Sequence, residues 1–107
     1  MNPTMADLLE NLLDRLLADH HIEAGTNEPT PYVRVKNPGT KSFVYVNAPG
    51  KVDLLLEPHD ADEYIATGYA EAQQNTMGYR VTVQLKNVVS VLVAAELAHI
   101  AADKQRA

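Results

Sequence analysis

The chain has no cysteine, no tryptophan and a single phenylalanine among its 107 residues. Without cysteine there is neither a disulfide nor a thiolate metal site, so the folded state rests on packing, and the redox compartment is left open. Aromatic residues make up 6% and hydrophobic residues 46% of the chain. A core for one modest domain must therefore be built from Leu, Val, Ile and Ala, a composition that favours helices on a sheet. One domain over residues 1–107 is expected. Long apolar runs are missing as well. Nothing approaches the roughly 18–20 consecutive apolar residues that span a bilayer. Met5 to Leu17 is interrupted by Asp7, Glu10, Asp14 and Arg15, which does not fit a cleaved leader. The expectation is a cytoplasmic protein without membrane contact.

Catalytic vocabulary is equally scarce. Ser42 and Ser90 are the only serines, and neither sits in a Gly-x-Ser-x-Gly elbow. No glycine-rich loop follows a strand and opens a helix, so a phosphate cradle for a nucleotide is missing. Positive charge is also short: 14 Asp and Glu face 9 Lys and Arg, a net charge of −5, which repels a phosphate backbone at long range. The imbalance is uneven. Residues 1–28 hold six acids (Asp7, Glu10, Asp14, Asp19, Glu23, Glu28) and one base (Arg15). Residues 30–56 hold four bases (Arg34, Lys36, Lys41, Lys51) and one acid (Asp53), which predicts a locally basic sheet beside an acidic helix.

What the chain does have is periodicity. Thr4 with Asp7 three residues on resembles a capping box, and Met5, Leu8, Leu9, Leu12, Leu13, Leu16 and Leu17 repeat at helical spacing. They predict a first helix that frays at His20 and His21 and is finished by Gly25 or Asn27. Glu23 to Pro31, rich in Gly, Thr, Asn and Pro, reads as a loop. Tyr32 to Leu56 then reads as three strands joined by two turns, at Asn37-Pro38-Gly39 and at Pro49-Gly50. Arg34 and Lys36 alternate with Val33 and Val35, while Ser42 to Val46 is apolar on both faces and so central. Asp60 with Glu63, followed by Gly68, predicts a short helix from Ala61 to Thr67. Tyr69 to Ala72 reads as a brief strand and Gln73 to Gly78 as a polar loop. Tyr79, Val81, Val83 and Leu85 alternate with Arg80, Thr82 and Gln84 as a half-buried strand. Asn87 caps a last helix with Val89, Leu92, Val93, Leu97 and Ile100 facing the core and Ser90, Glu96, His99 and Asp103 facing away.

Few side-chain groupings suggest chemistry. Glu96 and His99 stand at i, i+3 with Asp103 beyond, a spacing that can place metal ligands on one helix face. The first helix offers no matching carboxylate and histidine, so a solvated face is the simpler reading. His59 lies beside Asp60 and Asp62, but helix capping accounts for those carboxylates, and the adjacent His20 and His21 diverge by about 100° on a helix. Arg34, Lys36, Arg80, Thr82 and Gln84 share the wet side of the expected sheet, a candidate surface for an acidic peptide or a nucleic acid. On the last helix, Val88, Val91 and Ala95 lie beside the core face and form a candidate homodimer interface.

Ser42-Phe43-Val44-Tyr45-Val46, then Pro49-Gly50-Lys51-Val52-Asp53-Leu54, then Thr67-Gly68-Tyr69-Ala70-Glu71-Ala72 ahead of the last strand and helix resemble two groups of small domains. These are the MmcQ/YjbR-like proteins and the luciferase-associated domain. The resemblance spans Phe43 to Ala102. It implies an α+β fold with helices against an antiparallel sheet and, for the first group, a suspected DNA-binding role that the acidic balance opposes. The luciferase-associated pattern has histidines where this chain has Val44, Val46 and Ala72-Gln73, so no functional residue is carried over. In architecture the chain is also similar to the secreted-effector chaperones of bacteria, which are small, acidic, cysteine-poor and usually dimeric.

These readings converge on an α+β domain of order α-β-β-β-α-β-α, its antiparallel sheet packed against helices on one face. Its core is expected to include Leu8, Leu12, Leu16, Val33, Phe43, Tyr45, Val52, Leu54, Val81, Val83, Val93 and Leu97. With no nucleophile, base and orienter grouping, the expected function is a non-catalytic binding or protein-interaction module without cofactor or metal; an enzyme is the less favoured reading. A protein partner, or a second copy in a homodimer, is expected ahead of nucleic acid. The alternatives are an acidic dimeric chaperone of a secreted partner and a weak nucleic-acid binder.

Overall fold

A computed structural model describes residues 3–27, 30–36, 42–47, 50–73 and 78–106. The chain opens with α1 (Met5–Leu17) and continues through β1 (Ile22–Asn27), β2 (Thr30–Val35), β3 (Val44–Asn47) and β4 (Lys51–Leu54). A single 3₁₀ turn at Pro58–Ala61 leads into α2 (Asp62–Ala66), followed by β5 (Glu71–Ala72), β6 (Val81–Gln84) and α3 (Val88–Arg106). The strands form one antiparallel sheet in the order β1-β2-β3-β4-β6-β5. The fold is α+β, as the sequence predicts.

Local chemistry sets the helix ends. The Thr4 hydroxyl accepts the Asp7 N–H at 3.2 Å while the Thr4 N–H donates to the Asp7 carboxylate at 3.0 Å, so two otherwise orphaned donors are satisfied reciprocally. Leu8, Leu12 and Leu16, one helical turn apart, are buried, and truncating any one to Ala removes about 2–5 kcal/mol. The Asp60 carboxylate accepts the Glu57 N–H at 2.9 Å and Gly68 follows α2 with φ +85°. The Asn87 side-chain oxygen accepts the Ser90 N–H at 2.9 Å and opens α3.

On one side of the sheet, Val33, Val44, Leu54 and Val81 form one cross-strand row and Val46, Val52 and Val83 another. All seven are buried. Against them lies α3, which touches β2, β4 and β6, and beside it α1, which touches α3 and β1. Ala94, Ala95, Ala98, Ala101 and Ala102 are buried along α3, and their small side chains let its backbone come close to both neighbours.

The fold corrects the sequence reading in four places. Glu23 to Pro31 is not a plain loop: Ile22 to Asn27 pairs with Val35 to Thr30 in continuous register, so four strands precede α2 and Gly25 and Asn27 belong to β1. A polar edge strand needs no alternation of its own, because its partner supplies the ladder. Tyr45 is half-buried and faces away from the helices, because its neighbours Val44 and Val46 take the inward positions. On α3, Val89 and Leu92 are exposed while Ser90 is buried. Val91 and Ala95 are 0% and 7% exposed within a single chain, so they offer no surface to a second copy. At 100° per residue the buried residues sweep roughly 200° of the helix, because α3 is covered by the sheet and by α1 together. The expected turn at Asn37-Pro38-Gly39 and the middle of the expected loop after Gln73 lie outside the described residues.

Candidate binding face and cleft

Residues paired across neighbouring strands point to the same side of a sheet. The register therefore places Gly25, Tyr32, Tyr45, Asp53, Thr82 and Glu71 in one row on the side opposite the helices. Glu23 and Arg34 flank this row on one side, and Asn47, Lys51 and Gln84 on the other. Tyr32 lies over Gly25, where an added Cβ would come within 2.7 Å of the ring. Tyr32 and Tyr45 have ring centroids 6.0 Å apart, Tyr45 and Tyr79 are edge-on at 5.0 Å, and the Arg34 guanidinium sits 6.0 Å from the Tyr32 ring centre. Such pairs add about 0.5–1.5 kcal/mol each beyond the area they bury. Burial, with Tyr45 adjacent, pushes the Tyr79 phenol above its ordinary value, and its hydroxyl donates to the Ser42 carbonyl.

At the centre of this face the Asp53 carboxylate accepts the Thr82 hydroxyl at 2.7 Å and the Asn47 amide. Thr82 is only 4% exposed. Arg34 is held by Glu23 at 2.6 Å and Arg80 by Glu57 at 3.1 Å. Lys36 is exposed and Gln84 half-buried. The five residues singled out from the sequence thus fall into two groups, Arg34 on β2 with Lys36 just after it, and Thr82 and Gln84 on β6 with Arg80 just before it. Three strand spacings, roughly 14 Å, separate them. Both arginines are neutralised by acids far away in the chain, which weakens the basic patch predicted from charge counts. The sequence reading missed the tyrosine trio, because its members come from three separate segments: strand register pairs Tyr32 with Tyr45, and Tyr79, outside β6, joins them through its ring contact with Tyr45.

At the β5 edge this face runs into a cleft of about 490 Å³. Lys51, Thr82, Gln84 and Glu71 form its floor, Thr67, Gly68 and Tyr69 one wall, and Lys86, Asn87 and Ser90 the other. Ser90 is internally satisfied: its hydroxyl donates to the Asn87 carbonyl at 2.6 Å and accepts the Lys86 and Asn87 N–H groups.

The other groupings have structural partners. Glu96 accepts the Tyr64 hydroxyl, and this bond, with burial and the nearby acids Glu96 and Glu63, pushes the phenol up to about 12. The His99 ring nitrogen Nδ1 lies 2.9 Å from the Ala95 carbonyl. His59 is exposed, 3.5 Å from Asp60. Among the described residues no three His, Asp or Glu side chains converge to hold a metal ion. Nor is any described helix long and apolar enough to cross a membrane.

The chain matches no family model, no curated protein and no solved structure.

Proposed function

We propose that this protein is a cytoplasmic, non-catalytic binding module that engages a protein partner through the side of the sheet opposite its helices. The observation that carries this reading is the row of Tyr32, Tyr45 and Tyr79 on that side. Tyrosines offer wide contact area and a polar tip at low entropic cost, and they are enriched where proteins meet. Packed ring against ring, with Tyr32 also lying over Gly25, they are ordered before a partner arrives. Replacing Tyr32 and Tyr45 together by Ala should leave the valine rows on the inner face intact. Capture of partners by the purified chain, compared between wild type and this double variant, is the test. The reading predicts that bound proteins are lost with the tyrosines; identical capture by both would refute it.

Two further readings each have one observation in their favour. Three tyrosines on an open sheet face also suit stacking of unpaired bases, in line with the resemblance to the MmcQ/YjbR-like proteins. Glu23, Asp53 and Glu71 share the face, however, so only weak association is expected. A labelled single-stranded oligonucleotide that stays bound at about 0.2 M salt would favour nucleic acid over protein. Self-association is favoured by Val88, Val89 and Leu92, exposed at 46%, 47% and 44% on the first turns of α3. A dimer through that strip would also suit the chaperone alternative.

A further inference from the structure

We infer that the cleft at the β5 edge is a binding site for a small molecule carrying an oxyanion, a carboxylate or a phosphate. Its cations give the first reason. Among the described residues, Arg15 donates to Asn11, while Arg34, Arg80, Lys104 and Arg106 are held by Glu23, Glu57, Asp60 and Asp19. Lys36, Lys51 and Lys86 have no such partner among the described residues, and two of these three line the cleft. In a chain with more acids than bases, this is where, among the described residues, unpaired positive charge gathers. Lys51 is half-buried and lines the cleft, and no described acid forms an ion pair with it, so an anion bound in the cleft would supply its counter-charge.

Size and hydrogen-bonding capacity point the same way. About 490 Å³ falls within the range of sites for small organic ligands. An ammonium only donates, and the other groups not already used internally include the Asn87 amide NH₂, whose oxygen alone is committed to Ser90, and the exposed Tyr69 hydroxyl. Glu71 is the one acid in the lining, leaving one net positive charge and mostly donors. That combination suits a ligand rich in acceptors. This site is separate from the tyrosine row, so its failure would leave the protein-partner reading standing.

The test titrates inorganic phosphate and, separately, succinate into the isotope-labelled full chain at constant ionic strength and follows backbone amide resonances. Saturating shifts are expected at Gly68, Glu71 and Asn87. The Lys51→Ala, Lys86→Ala double variant should weaken binding by about tenfold or more, since charge-assisted hydrogen bonds are lost. Lys36→Ala should change nothing, and Glu71→Gln should tighten binding by removing repulsion. Whichever anion saturates identifies the head group. The inference is overturned if neither anion saturates, or if binding persists undiminished in a double variant whose thermal melt matches wild type.

Discussion

Gly50 and Gly68 both hold positive φ, at +96° and +85°, yet they answer to different constraints. At Gly68 an added Cβ would meet nothing within 4 Å, whereas at Gly50 it would run into the Met5 side chain. Gly68→Ala should therefore cost only the backbone penalty, about 1–2 kcal/mol. Gly50→Ala adds to that the displacement of Met5 from the start of α1 and should cost more. Denaturant unfolding of the two variants measures the difference, and equal losses would show that Met5 moves aside freely. Sequence reading located Gly50 in a Pro-Gly turn and Gly68 at the end of the short helix, but not the contact with Met5, which joins segments 45 residues apart. The same limit explains Tyr45. A strand apolar on both faces shows that it is central without showing which side faces the helices.

At the scale of elements, α1 was legible because its leucines follow one stripe, while the inward face of α3 was not, because nearly every side of its first four turns is apolar or small. What fixes α3 is partly electrostatic and lies near its end. Lys104 is paired with Asp60, and Arg106 with Asp19 at 2.9 Å. Burial alone would raise the Asp60 carboxyl, but the Lys104 ammonium and the Glu57 N–H outweigh it and hold it below its ordinary 3.8. The His21 N–H and then Arg106 do the same for Asp19. Since both carboxyls titrate lower in the folded state than in the unfolded chain, their stabilisation is fully present above pH 3.8. It fades as pH falls through the depressed folded values. The Lys104→Ala, Arg106→Ala variant should melt at a lower temperature near neutrality and lose less on acidification than wild type. Parallel melting curves across the acid range would show that these pairs add nothing. β1 escaped detection for the opposite reason: a polar edge strand has no periodicity of its own, and its pairing with β2 is what shows its register.

For the whole molecule, the all-antiparallel order β1-β2-β3-β4-β6-β5 places both long helices on one side and leaves the tyrosine row on the other, with the cleft at the β5 edge, where the start of α3 supplies one wall. That arrangement also decides where a second copy could dock. Val91 is covered within the chain, so Val91→Lys buries an unpaired charge and should unfold the protein or lower its melting temperature steeply, a loss of several kcal/mol. Leu92, one residue on and 44% exposed, faces solvent with Val88 and Val89, so Leu92→Lys should leave the melt nearly unchanged. If these three residues form the contact between copies, light scattering of the wild type at micromolar concentration returns about twice 11.7 kDa, and Leu92→Lys returns the single-chain mass. A wild type that already scatters as a single chain would remove self-association, and the dimeric chaperone reading with it. The tyrosine row would then stand alone as the surface for a partner.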